Sequence, residues 1–102
     1  MSSTSYSSFS EFYPYYLSEH SNRTCRNLHF VGSTLVLSLI VASVVLANAW
    51  LLLLLPVIGY GFAWVGHFFF EHNKPATFQY PLYSLAGDWV MYKDMLTGKI
   101  KF

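Results

Sequence analysis

The fold is decided by VGSTLVLSLIVASVVLANAWLLLLLPVIGYGFAWVGHFFF, residues 31–70. This stretch contains no Asp, Glu, Lys or Arg, and Asn48, near its centre, is its only amide side chain. A chain that reverses at Asn48 has one apolar run on each side, and about 20 residues are enough to cross the hydrocarbon core of a bilayer. The sequence therefore predicts a hairpin of two transmembrane helices, with spans at about 30–47 and 49–70.

Composition supports a membrane protein. Of the 102 residues, 54% are hydrophobic and only 11% are charged, which is little polarity for one soluble domain. The alternative is a soluble protein with a buried helical hairpin. Against it, all six Lys and Arg residues and all five acidic residues lie outside the apolar stretch. We expect one membrane domain over residues 9–102, preceded by a Ser-rich, disordered segment over residues 1–8.

Two amphipathic stripes flank the hairpin. The first, for which Ser10 is the expected N-cap, comprises Phe12, Tyr13, Tyr16, Leu17 and His20. The second, for which Pro81 suits the helix start, comprises Leu82, Leu85, Ala86, Trp89, Val90 and Leu96. We expect both helices, the second over about 81–97, to lie on the membrane surface. The predicted fold class is an all-α membrane protein, a two-span transmembrane hairpin flanked by short N-terminal and C-terminal interfacial helices.

The charges predict how the hairpin is oriented. Basic residues near the ends of transmembrane helices are retained in the cytosol, so both termini are expected on the cytoplasmic face of a bacterial inner membrane or of the endoplasmic reticulum. Cys25, the single cysteine, excludes an internal disulfide and fits a reducing compartment. The glycines of the second span offer a surface for a homodimer. A net charge of +1 gives no reason to expect a nucleic-acid partner.

Ionisable residues converge at the open end of the predicted hairpin. His29 precedes Asn48 by nineteen residues and His67 follows it by nineteen, so each lies roughly 28 Å from the turn. Glu71 follows His67 by one helical turn and shares its face. His20 lies on an apolar stripe, as a satisfied core histidine or as a ligand. The pattern indicates either a mononuclear site, with zinc and Fe(II) both possible, or histidines that are merely interfacial.

Two segments resemble the signature segments of a known family. They are HSNRTCRNLHFVG, residues 20–32, and YGFAWVGHFFFEHNKPAT, residues 60–77. Together they resemble a family of small multi-pass membrane proteins whose characterised fungal member is a 2-hydroxy fatty acid dioxygenase. The residues at the family's motif positions are His20, His29, Gly32, Gly66, His67, Glu71, Pro75 and Ala76. His72 occupies a position that varies in the family.

The resemblance implies an Fe(II)-dependent dioxygenase of alpha-oxidation, which shortens 2-hydroxy fatty acids by one carbon and releases carbon dioxide. It implies His20, His29 and His67 as metal ligands. Glu71 is expected to serve catalysis, either as a carboxylate ligand or as a partner that orients His67. The implied partners are a fatty-acyl substrate, dioxygen and the membrane.

Three further residues are candidate substrate contacts. Tyr16 is a candidate hydrogen-bond donor or an interfacial anchor, Arg26 could attract a carboxylate, and Gly66 allows close approach beside His67. The alternative function is a non-catalytic membrane scaffold or lipid-binding protein whose histidines satisfy one another. A zinc-dependent lipid hydrolase ranks last, because the chain has no hydrolase motif.

Overall fold

The computed structural model describes residues 6–74 and 78–102, and within these ranges every regular element is helical. Helix α1 covers Phe9–Ser18, α2 covers Arg23–Val45, α3 covers Ala49–Glu71 and α4 covers Pro81–Leu96. Helix α3 begins as a 3₁₀ helix (Ala49–Leu54), continues as an α-helix (Leu55–Val65) and ends as a π-helix (Gly66–Glu71). The predicted all-α class, with two long apolar helices and shorter flanking helices, is confirmed.

Helices α2 and α3 form the hairpin, and both are long and apolar enough to cross a membrane. The chain reverses through Ala47, at a φ of 51°, and Asn48, whose side chain accepts a hydrogen bond from the N–H of Trp50 at 3.1 Å. Only 17% of the most apolar window of α2 and 11% of that of α3 is buried. The structure therefore leaves apolar faces outward, as lipid contact requires, instead of enclosing the hairpin as a soluble core would.

Helix α2 begins at Arg23, before the predicted start of the first span near residue 30. The side chain of Asn22 accepts a hydrogen bond from the N–H of Cys25 at 3.0 Å and so caps the helix. His29 consequently lies in the second turn of a rigid helix, where its side-chain direction is set by the helix axis.

Helix α1 begins at Phe9 because the hydroxyl of Ser8 accepts a hydrogen bond from the N–H of Glu11 at 3.3 Å. The prediction of Ser10 as N-cap is therefore wrong, and Ser10 lies in the first turn. Residues 1–5 of the predicted disordered segment lie outside the described residues. Tyr6 already packs on α1, with its ring centroid 5.7 Å from that of Phe12.

Helix α4 packs on α1 around a cluster formed by Phe12, Tyr16, Met91 and Met95. Its buried face consists of Ser84, Gly87, Met91, Asp94 and Met95. The predicted apolar stripe faces outward at Leu82, which is 80% exposed, and at Leu85. Gly87 explains why the opposite face of α4 packs on α1, since a Cβ there would lie 2.9 Å from the ring of Tyr16. Small residues let α4 approach the aromatic face of α1, and its large apolar residues remain available to a membrane surface.

Gly32 permits a close approach of α2 to α3. A Cβ at this position would lie 2.9 Å from the Cβ of Phe62, an atom too near the backbone to move aside. We expect Gly32→Ala to lower the free energy of unfolding by about 1–2 kcal/mol, because overpacking outweighs the helix propensity of alanine. Thermal unfolding in detergent, followed by circular dichroism, measures this.

The matched control is Gly61→Ala, because a Cβ at Gly61 would meet nothing within 4 Å. This variant should be as stable as the wild type or more stable. Equal stability of the Gly32→Ala and Gly61→Ala proteins would contradict the proposed contact between the helices.

Candidate metal centre

The side chains of His20, His29 and His67 meet at the end of the hairpin opposite the turn. The Nε2 atom of His20 lies 3.1 Å from that of His29 and 2.9 Å from that of His67. The remaining pair, His29 and His67, is separated by 3.3 Å. All three residues are buried, with exposures of 1%, 7% and 1% in chain order. Among the described residues these three histidines form a group able to hold a metal ion.

The opposite ring nitrogens of His20 and His67 face hydrogen-bond acceptors. Nδ1 of His20 lies 2.7 Å from the backbone oxygen of Tyr16, and Nδ1 of His67 lies 2.6 Å from Oδ1 of Asn73. The Asn73 amide is oriented by its own N–H donation to the backbone oxygen of Glu19 at 3.0 Å. Both imidazoles therefore carry their proton on Nδ1, which leaves a lone pair on each Nε2.

His29 has a charged neighbour in the corresponding position. Oδ1 of Asp88 lies 3.7 Å from its Nδ1, and a carboxylate there also favours the proton on Nδ1. The three Nε2 atoms then converge as lone pairs. Neutral rings in these tautomers have no proton to share between the Nε2 atoms, and the group could hold a metal ion at its centre.

The donor set fits a metal ion. Zn–N bonds of about 2.0–2.1 Å place adjacent nitrogens of a tetrahedral or octahedral site roughly 2.8–3.4 Å apart, which matches the observed range of 2.9–3.3 Å. Imidazole suits zinc, copper, iron and nickel alike. The histidines could therefore hold a metal ion, and they do not by themselves select which one.

Burial shifts the pKa values of three groups near the centre that lie outside the long helices: His20, Asp88 and Tyr16. Desolvation, with a smaller contribution from His67, lowers the pKa of His20 to about 3, so His20 is neutral and available as a ligand at physiological pH. Burial also raises the pKa of Asp88 to about 6, against the opposing effect of the hydrogen bond from Tyr16. Burial and the Asp88 carboxylate both raise the pKa of Tyr16.

Glu71 is not one of the grouped ligands. Its carboxylate accepts hydrogen bonds from the hydroxyl of Ser21 at 2.8 Å and from the N–H of Asn22 at 2.6 Å. These bonds join the end of α3 to the loop that carries His20. The side chain that contacts Nδ1 of His67 is Asn73 instead.

Each of the three candidate substrate contacts has a contact within the protein itself. Tyr16 is 1% exposed, stacks on His20 with ring centroids 4.1 Å apart, and donates its hydroxyl proton to Asp88. Arg26 donates from Nη1 to the backbone oxygen of His20 at 3.1 Å. A Cβ at Gly66 would lie 2.9 Å from the Sγ of Cys25, so its role here is close packing of α3 on α2.

Two residues of the centre carry no recognisable signal in the sequence. Asn73 lies beyond the π-helix, and it reaches His67 because His72 adopts a left-handed conformation at a φ of 60°. Asp88 is off the apolar stripe that the sequence suggests for α4. It could have been found only by noticing that Ser84, Gly87 and Met91 form an alternative, tightly packing face, next to which Asp88 lies.

A cavity of about 250 Å³ opens beside His29 and is lined by residues of α2, α3 and α4. It reaches Leu55, which precedes His67 by twelve residues, or roughly 18 Å of helix. The polar side chains that line it are His29, Ser33, Tyr60, Asp88 and Trp89. The rest of its lining is Val36, Leu55, Pro56, Gly59 and Leu85. We call this cavity the groove.

Fold and site together define a small helical protein with two candidate membrane-spanning helices and a buried cluster of three histidines that could hold a metal ion. The family model described as 2-hydroxy-palmitic acid dioxygenase Mpo1-like matches residues 6–100, and the chain belongs to this family. Searches of curated proteins and of solved structures gave no match. Two of the motif positions quoted above, Pro75 and Ala76, lie outside the described residues.

The contacts of Glu71 distinguish a metal ligand from a residue that fixes the His20 loop. Glu71→Gln keeps a carbonyl oxygen for the N–H of Asn22, so we expect metal content and melting temperature close to those of the wild type. Glu71→Ala removes both hydrogen bonds and should lower the melting temperature by about 5–10 °C. Loss of metal from the Gln variant, measured by elemental analysis, would indicate a ligand role instead.

Proposed function

We propose that this protein is an Fe(II)-dependent dioxygenase that acts in the alpha-oxidation of 2-hydroxy fatty acids. The observation that carries the proposal is the convergence of three Nε2 lone pairs, each on a ring whose Nδ1 faces a neighbouring oxygen atom. Membership of a family described as 2-hydroxy-palmitic acid dioxygenase-like supports the reaction class. His20, His29 and His67 would hold the ion, and bound Fe(II) would supply the activation of dioxygen.

The groove supports a substrate with a polar head and an apolar chain. Its lining includes His29 at the histidine cluster and, farther along the helices, the apolar residues Val36 and Leu55. A head group that carries a carboxylate and a 2-hydroxyl can contribute two oxygen donors at the end of the groove where the histidines lie. The alkyl chain then follows Val36, Gly59 and Leu55 between the helices, where burial of each methylene contributes about 0.8 kcal/mol.

The reaction balances without an added reductant. One 2-hydroxy fatty acid and one dioxygen give a fatty acid one carbon shorter, one carbon dioxide and one water. The bond between the carboxyl carbon and C2 breaks, C2 is oxidised to a new carboxyl group, and the four electrons released reduce the dioxygen. The protein's part is to hold the substrate head beside the histidines and to keep water from this buried site.

The remaining residues enter the proposal as positioning groups. Asn73 holds the His67 ring, and Glu71 and Arg26 hold the loop that carries His20. We further propose that both termini and the centre face the cytoplasm, in a bacterial inner membrane or in the endoplasmic reticulum, because the basic residues all lie at that end of the hairpin. A homodimer remains part of the proposal, since a second copy could cover the exposed faces of the hairpin.

The first test is the metal content and turnover of anaerobically purified protein in detergent. We expect near-stoichiometric iron and oxygen-dependent release of carbon dioxide from carboxyl-labelled 2-hydroxy-palmitic acid. Palmitic acid, which lacks the hydroxyl, should release none. The double variant His29→Ala, His67→Ala should lose both iron and turnover, because two of the three donors are removed.

The matched control is His72→Asn, because His72 is exposed and lies outside the histidine cluster, and asparagine tolerates the left-handed backbone conformation of this residue. It should keep iron and turnover. Stoichiometric zinc without turnover would contradict the iron assignment and direct attention to hydrolysis. Absence of metal and turnover in the wild type, with His variants that change only stability, would favour the non-catalytic scaffold.

Substitution of Gly59 tests whether the groove holds the acyl chain of the substrate. A Cβ there would lie 3.5 Å from Val36, so Gly59→Leu places a side chain inside the groove without a backbone clash. Displacing two methylenes of the substrate should lower kcat/KM for 2-hydroxy-palmitic acid by roughly tenfold, with little change for 2-hydroxyoctanoic acid. Gly61→Leu, whose side chain enters open space, should affect neither substrate. Equal losses for both chain lengths would show that the groove is not the acyl site.

A further inference from the structure

Helices α1 and α4 are joined by two tyrosine–aspartate hydrogen bonds of the same kind. Tyr13 donates its hydroxyl proton to Oδ2 of Asp94 at 2.8 Å, and Tyr16 donates to Oδ1 of Asp88. Each pair links the same two helices, six residues apart on α4 and three apart on α1. As links between helices the two pairs are equivalent, so packing alone does not explain why Asp88 lies where it does.

The two pairs differ in whether the aspartate lies close to a histidine of the cluster. Oδ1 of Asp88 lies 3.7 Å from Nδ1 of His29, whereas the side-chain hydrogen bond of Asp94 is to Tyr13. Asp88 is not a ligand in this arrangement, because it does not belong to the group of ligand atoms that lie within 4.8 Å of one another. It lies behind the His29 ring, on the side away from the other two histidines.

Three groups face an Nδ1 atom of the cluster in the part of the chain that the structure describes, and of these three Asp88 is the one that can be charged. The other two are the backbone oxygen of Tyr16 behind His20 and the amide oxygen of Asn73 behind His67. A carboxylate behind a ligating imidazole holds the ring tautomer, raises the basicity of the ligand and offsets part of the charge of the ion. The side chain of Tyr16 fixes that carboxylate and also stacks on His20, so it contacts one of these supports and one of the three histidines.

We propose that Asp88, oriented by Tyr16, is the positioning residue that keeps the His29 proton on Nδ1 and the Nε2 lone pair directed at the metal. The part of this proposal that concerns metal affinity rests on the proposed function. The part that concerns the His29 tautomer is a property of the metal-free protein. The two parts can therefore be tested separately.

Metal affinity is measured by titrating the metal-free, detergent-solubilised protein with Co²⁺ against a competing chelator. Asp88→Ala should weaken binding by about 10–100-fold. Asp94→Ala removes the same carboxylate from the same helix and leaves the same kind of tyrosine hydroxyl unpaired, so it should match Asp88→Ala in melting temperature and keep wild-type affinity. Equal affinity losses in both variants would overturn the proposal in favour of simple destabilisation. Unchanged affinity in Asp88→Ala would overturn it as well.

The tautomer is measured by ¹⁵N imidazole chemical shifts of metal-free protein labelled at histidine. The wild type and Asp94→Ala should show His29 protonated on Nδ1, and Asp88→Ala should show a mixture of tautomers. Asp88→Asn, which keeps an acceptor oxygen but loses the charge, should restore the tautomer and recover only part of the Co²⁺ affinity. An unchanged His29 tautomer in Asp88→Ala would overturn the positioning role. If the wild type bound no Co²⁺, the proposed function would fail, while the tautomer comparison would still decide the role of Asp88.

Discussion

Three imidazole nitrogens that face one another within 3.3 Å impose the constraint on which this end of the molecule depends. Lone pairs brought so close repel, and the rings come from a loop, from an α-helix and from a π-helix. Each ring therefore needs a support of its own, and the supports come from different parts of the chain. The carboxylate of Glu71, the guanidinium of Arg26 and the cap at Asn22 all act on the short loop that carries His20. That loop belongs to no helix itself, so side chains of α2 and α3 hold it in place.

The two long helices are apolar at the turn end of the hairpin and carry polar residues at its open end. Their turn end has exposed apolar side chains and no charged residue, and their open end carries the histidines, where α1 and α4 cover them. Close approach at Gly32 and Gly66 sets the spacing of α2 and α3 and with it the distance between His29 and His67. The groove is a consequence of the same arrangement, since the helices contact each other closely at Gly32 and leave a channel beside Val36 and Gly59.

The sequence predicts the hairpin and the meeting of His29 with His67 well, because a turn at Asn48 and a constant rise per residue leave little freedom. It identifies the apolar stripe of α4, whose members Leu82 and Leu85 face outward, but it does not identify the face that α4 buries. Gly87 on that face packs against the aromatic ring of Tyr16 more closely than a larger side chain could. Asn73 and Asp88 escape prediction for a related reason. Asn73 contacts His67, six residues earlier in the chain, through a left-handed turn, and Asp88 on α4 lies near His29 on α2, 59 residues earlier. No local periodicity encodes these tertiary contacts.

The π-helix at the end of α3 has an evolutionary consequence. A π-helix corresponds to an α-helix with one inserted residue, and it gives up regular hydrogen bonding. Deleting a single residue between His67 and Glu71 would restore the regular helix, yet it would rotate everything that follows by about 100° around the axis. Glu71 would then leave Ser21 and Asn22, and Asn73 would leave the His67 ring. A regular α-helix and the support of the centre are therefore incompatible at these residues. A deletion that gains the regular helix loses the contacts that support the histidines, so selection for the centre would remove it.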